Sequence, residues 1–176
     1  MFDKGYSFNL VDKKSFQEDD ILTTYYYNFR GKTRYIVLME EYVGKIFIVK
    51  FYPHSHHNSP DKYNILTTDY DAARVIRTAI DIRLLFLKDY PDASFGFIAS
   101  NSITDTYEEN KYYNKRFRIY RKLVANFFAT ETFAHISNEK TSAYLLVNRC
   151  NVDIDAFAGN AVKMLIRNYP DLETET

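Results

Sequence analysis

The sequence predicts a single α+β domain, a mainly antiparallel sheet in a two-layer arrangement with about three helices packed on it. Three observations predict it. Residues 24–52 hold three runs dense in aromatic and β-branched side chains, separated by turn residues. Two longer stretches, ending near Asp89 and Phe128, carry apolar residues at three- and four-residue spacing instead. Finally, 176 residues at 46% hydrophobic content suffice for one core, and neither an internal repeat nor a linker interrupts them.

Taken in order, residues 1–23 mix charges with the weakly alternating Phe2, Tyr6, Phe8 and Leu10, which fits an edge strand or an ordered arm. TYYYNF, TRYIVLMEEY and KIFIVKFY then form a three-stranded meander that turns at Arg30-Gly31-Lys32 and Val43-Gly44. In the third run Phe47, Val49 and Phe51 make a wholly apolar face, while Ile46, Ile48 and Lys50 make one that is only partly polar. The polar loop PHSHHNSPDKYN leads into a helix with Thr68 as its N-cap and Asp71 three residues on, stopped by Tyr90-Pro91. The apolar arc of this helix, including Val75, Ile76, Ala79, Ile80, Ile82 and Phe86, exceeds half its circumference, so it is expected to be covered on more than one side.

Residues 94–99 read as a short buried strand and 101–110 as a polar, acidic loop. Residues 111–128 read as the second helix, 132–136 and 141–148 as a hairpin around Asn138-Glu139-Lys140. Asp153 caps a last helix with Phe157, Ala158, Ala161, Met164 and Leu165 inward, and Tyr169-Pro170 ends it. Residues 170–176 form a frayed acidic tail. The order is β-β-β-α-β-α-β-β-α. Whether the first helix joins parallel strands stays open at this level.

YPDASFGFIASN, NKRFRIYRKLVANFF and TSAYLLVNR, in this order, resemble a group of small bacterial α+β proteins to which no activity is assigned. The resemblance spans about residues 24–149. It implies the same domain type and no catalytic residue.

Charge is balanced overall, 23 basic against 23 acidic residues, which removes any bulk attraction to nucleic acid or membrane. It is concentrated locally, however. Residues 111–128 hold Lys111, Lys115, Arg116, Arg118, Arg121 and Lys122 and no carboxylate. On a helix, Tyr113, Phe117, Tyr120, Val124, Phe127 and Phe128 face inward, Lys111, Lys115, Arg118 and Lys122 form an outer ridge, and Arg116 and Arg121 flank the seam. Such a ridge meets successive phosphates, with Tyr112 placed to stack on a base. It also serves as a solvated face paired with Asp105, Glu108 or the acidic C-terminal segment.

Arg83 falls inside the apolar arc of the first helix and requires a rim position, a carboxylate such as Glu40 or Glu41, or a ligand cleft. His54, His56 and His57 are weak metal-ligand candidates with Asp61 nearby. Glu40 or Glu41 with Lys50 fits a divalent-cation nuclease only as a chance pairing allows. No phosphate loop, nucleophile elbow or trusted triad accompanies them. The single Cys150 excludes an intrachain disulfide and fits a reducing compartment.

These readings lead to a non-enzymatic cytoplasmic interaction module. It binds a protein partner, or its own copy, through the basic helix and the tyrosines of TYYYNF and Tyr112-Tyr113. It uses no cofactor and no membrane. Nucleic-acid binding through the Lys111–Lys122 ridge, and a metal-dependent nuclease, are the alternatives.

Overall fold

The computed structural model describes residues 4–64, 71–100, 103–104, 107–108, 110 and 112–170. A seven-stranded sheet runs through it in the order β1-β2-β3-β4-β5-β9-β8. Its strands are β1 (Phe8–Glu18), β2 (Ile21–Arg30), β3 (Arg34–Tyr42), β4 (Ile46–Pro53), β5 (Ser94–Ile98), β8 (Phe133–Asn138) and β9 (Ala143–Asn148). The short β6 (Ile103–Thr104) and β7 (Tyr107–Glu108) pair with each other inside the expected acidic loop. The helices are α1 (Ala72–Asp89), α2 (Lys115–Phe127) and α3 (Ile154–Asn168). The expected α+β class and element order hold, and the N-terminal segment supplies edge strand β1.

Alternation along each strand builds two apolar faces. Tyr25, Tyr27, Val37, Met39, Phe47, Val49, Phe95 and Leu146 face α1 and α2. Tyr42, Ile46, Ile48, Leu145 and Val147 face α3 on the other side. Helices therefore cover both faces of the central strands, where a single helix layer was expected. The half-polar face of β4 is what α3 needs: Ile46 and Ile48 are buried beneath it, along with Ala158, Ala161, Met164 and Leu165. Gly96 makes room here: a Cβ on it would lie 2.2 Å from Ile48 Cδ1, so any larger residue would force the Ile48 side chain to move.

Among the described residues all strand pairs but one are antiparallel. The exception is β4 and β5, joined through α1, which pair in parallel from Ile46↔Ser94 to Val49↔Phe97. The crossover left open by the sequence is thus a parallel one.

Two helix starts differ from expectation. α1 begins at Ala72, with Asp71 at its N-cap position making no side-chain cap; Thr68 lies outside the described residues. α2 begins at Lys115, four residues later than the charge pattern suggested. Asn114 stops it there: its Oδ1 accepts from the Phe117 N–H at 2.9 Å, and Tyr113 before it has φ 46°. The same Asn114 donates from Nδ2 to the Ala99 carbonyl (2.7 Å), and its N–H donates to Ser142 Oγ (3.0 Å). The start of α2 is thereby fixed to the exit of β5 and the entry of β9.

Candidate functional site

Beyond Val49 and Phe97 the two parallel strands diverge. β4 continues to Pro53 paired with β3, while β5 follows β9, with Ile98 opposite Ala143. A cleft of about 560 Å³ opens between them. Open sheets place ligand crevices outside the carboxyl ends of parallel strands, and this is the parallel pair of the sheet. The volume lies within the range of small-ligand pockets. The walls combine Phe51, Phe97 and Tyr63 with Asn64, Ser100, Thr141 and Asn168. Two cations reach it, Lys50 from β4 and Arg116 from the first turn of α2.

Arg116 is aimed there by the Asn114 anchor. Its guanidinium donates to the Tyr63 carbonyl and lies 6.0 Å from the Phe51 ring centre. Lys50 is set by a buried network on the α3 face. Its ammonium donates to Glu40 Oε1 at 2.9 Å and sits 4.5 Å above the Tyr169 ring. Glu40 Oε2 accepts from the hydroxyls of Tyr42 (3.0 Å) and Tyr169 (2.7 Å). Each hydroxyl has one hydrogen, so with both given to Oε2 the 3.1 Å between the two phenol oxygens is proximity, not a further bond. Glu40 is only 6% exposed, and this ring of donors is what makes its burial tolerable.

Burial first, and then the Glu40 charge, hold the Tyr42, Tyr63 and Tyr169 phenols well above their usual range. All three are therefore neutral at physiological pH, and Tyr42 and Tyr169 act as donors to Glu40. Tyr169 stands at the end of α3, and that end is tied down in turn. Asp20, in the turn between β1 and β2, accepts from Arg167 (3.1 Å) and from Asn168 Nδ2 (2.9 Å). Its carboxyl is held below the ordinary range by these two hydrogen bonds.

The basic ridge is only partly what its spacing suggested. Arg121 pairs with Glu139 at 2.7 Å, Arg116 turns into the cleft, and Lys115 also has a partner. Lys111 lies outside the described residues. Arg118 and Lys122 remain exposed and make no ion pair among the described residues. Tyr112 is exposed at 58%; Tyr113, expected on the inner stripe, lies in the turn before α2 and packs edge-on against Phe117 at 5.7 Å.

Other expectations are corrected outright. Tyr25 and Tyr27 are core residues, their rings 4.8 and 6.2 Å from Phe86 of α1, and Tyr26 is half-buried on the opposite face. Strand β2 thus presents no open tyrosine surface. Arg83 is fully buried and meets no carboxylate among the described residues; Glu40 belongs to Lys50 on the far side of the sheet. Its Nη2 donates to the Gly96 carbonyl at 3.3 Å, and its Cζ lies 5.0 Å from the Tyr120 ring.

The histidines form no ligand set. His57 Nδ1 bonds the Tyr52 hydroxyl at 2.8 Å and His56 Nδ1 bonds Ser55 Oγ at 3.0 Å. Among the described residues no group of three or more His, Cys, Asp or Glu is placed to hold a metal ion. Of the carboxylate–lysine candidates, Glu40 and Lys50 are brought together, and both Glu40 oxygens accept hydrogen bonds from protein donors.

Tyr63, Asn168 and Tyr169, the residues that complete the cleft, were not singled out as site residues in the sequence, where Tyr169 was read only as the end of the last helix. Their only signal was position: each closes an element or a loop that ends beside β4. No helix among the described residues is long and apolar enough to cross a membrane. The chain matches no protein-family model, no curated protein and no solved structure, so its resemblance to small bacterial α+β proteins rests on the quoted motifs alone.

Proposed function

We propose that this chain is a non-enzymatic binding module that takes an anionic ligand, bearing carboxylate or phosphate, in the cleft between β4 and β5. One observation carries the reading. Lys50 and Arg116 converge on one recess from opposite faces of β4, and the described lining holds no carboxylate. A guanidinium in a recess walled by Phe51 and Phe97 suits a planar or tetrahedral oxyanion, because its donors form a fixed fork and the recess limits screening. The exposed, unpaired Cys150 supports a reducing setting such as the cytoplasm.

Calorimetric titration with citrate and with inorganic phosphate at low ionic strength tests this. Arg116→Gln keeps a donor for the Tyr63 carbonyl and removes the charge. The expected result is binding by the wild type that weakens about ten-fold in the variant, equivalent to roughly 1.4 kcal/mol, and that falls with added salt. No heat with either anion, or equal affinity in both proteins, counts against the cleft.

A second reading, nucleic-acid binding along the outer face of α2, is favoured by Arg118 and Lys122. They lie one turn apart and exposed, without an ion pair among the described residues. Here Lys122→Ala is expected to weaken binding to all sequences alike and to lower the log–log salt slope by about one. Absence of any mobility shift at low salt, with single-stranded and duplex probes, rules it out.

A further inference from the structure

We infer that the ligand of the β4–β5 cleft is an extended acidic segment of another protein, bound as an added strand along β4. This rests on the anion-binding reading and narrows it to one ligand class. From Ile46 to Val49, β4 has a strand on each side. From Lys50 to Pro53 it has only β3, because β5 continues with β9 and the Ala99 N–H is given to the Ser142 carbonyl. Among the described residues no backbone group pairs with that length of β4 on its cleft side.

A strand edge of this kind is a template of alternating donors and acceptors. Citrate or phosphate satisfies charge but cannot pair with such a row; an extended backbone does both. Residues 50–52 offer roughly 10 Å of edge at ~3.3 Å per residue, room for about three guest residues. The edge borders the cleft in the middle of the sheet.

Charge selects the guest. Lys50 projects from one face of β4 beside Tyr169, and Phe51 from the other beside Arg116. Successive side chains of an added strand also point to alternate faces. Neighbouring acidic residues of the guest therefore meet Lys50 and Arg116 in turn, with no carboxylate in the described lining to repel them.

The test is fluorescence anisotropy with a labelled heptapeptide of threonines carrying two adjacent glutamates at its centre, blocked at both ends, against the full chain. Two further probes are a lysine-for-glutamate version and a version with N-methylated backbone amides. The acidic peptide is expected to bind at least ten-fold more tightly than either, and to lose at least ten-fold in Arg116→Gln. Equal binding of the N-methylated peptide overturns strand pairing, and it does so without relying on any protein variant. Binding of citrate or phosphate without the peptide overturns this inference and leaves the cleft reading intact; binding of neither overturns both. Asp171, Glu173 and Glu175 follow cleft-lining Pro170 in the chain. If a protein shortened to end at Pro170 binds the peptide ten-fold more tightly than the full chain, the guest is this chain's own segment and the foreign partner is overturned.

Discussion

Replacing Glu40 with leucine is expected to destabilise the fold by about 3–5 kcal/mol, the range for breaking a buried ion pair by removing one partner. Three donors converge on this carboxylate, from Lys50, Tyr42 and Tyr169. Without it the Tyr42 and Tyr169 hydroxyls lose their shared acceptor; lying 3.1 Å apart, one can donate to the other, which leaves one donor orphaned at roughly 1–3 kcal/mol. Lys50 loses its counter-charge, but its side chain keeps 24% exposure and turns partly toward the cleft, which tempers the cost. The pair is coupled, so Glu40→Leu combined with Lys50→Met is expected to cost at least ~1 kcal/mol less than the sum of the single changes. Urea titrations of the four proteins check this. A strictly additive double variant means that the network does not act as a unit.

The same network fixes a pH dependence. Burial first, and Glu40 second, raise the phenols of Tyr42 and Tyr169 above their unfolded value near 10. A raised folded value means that their stabilising contribution is complete below about pH 10 and is lost as pH rises beyond it, because the unfolded chain releases those protons first. Stability is therefore expected to fall above pH ~10, and less steeply in Tyr169→Phe.

Lys50 and Glu40 show where the sequence was legible and where it was not. Alternation along KIFIVKFY placed Lys50 on the less apolar face, and that half-polar face was itself the sign of cover on both sides, supplied by α3. What alternation does not encode is lateral order. The cleft depends on β5 lying beside β4 and on α3 ending above Lys50, and both follow from long-range packing. α2 illustrates the opposite limit. Its aromatic spacing was real from Phe117 onward, but the spacing was followed through Tyr113, whereas Asn114, a strong N-cap residue within the run, marks the boundary. Tyr25 and Tyr27 were assigned to the correct shared face; their exposure was misjudged because a phenol buries its ring beneath a helix as readily as it presents it.

Arg83→Met is expected to stabilise the protein by about 1–3 kcal/mol, against the usual direction for a change in a core. The side chain is completely buried, Nε and Nη1 find no hydrogen-bond partner, and Nη2 makes a single long bond to the Gly96 carbonyl. Burial pulls its pKa downward from the usual arginine value. An arginine nevertheless stays charged in a protein, so desolvation costs several kcal/mol after relaxation. The Tyr120 ring 5.0 Å away returns about 2 kcal/mol through its π face. Tyr120 brings no counter-charge, since burial pushes its phenol up to about 12 and its hydroxyl is likewise buried without a partner. The cost exceeds the return, and methionine fills similar length without a charge. Arg83→Lys sharpens the argument: a compact, strongly hydrated ammonium loses the flat stacking and keeps the charge, so it is expected to be less stable than the wild type. Thermal unfolding of the three proteins distinguishes the outcomes. A methionine variant destabilised by more than about 2 kcal/mol sinks this account, because the guanidinium then contributes more through Tyr120 and Gly96 than its burial costs.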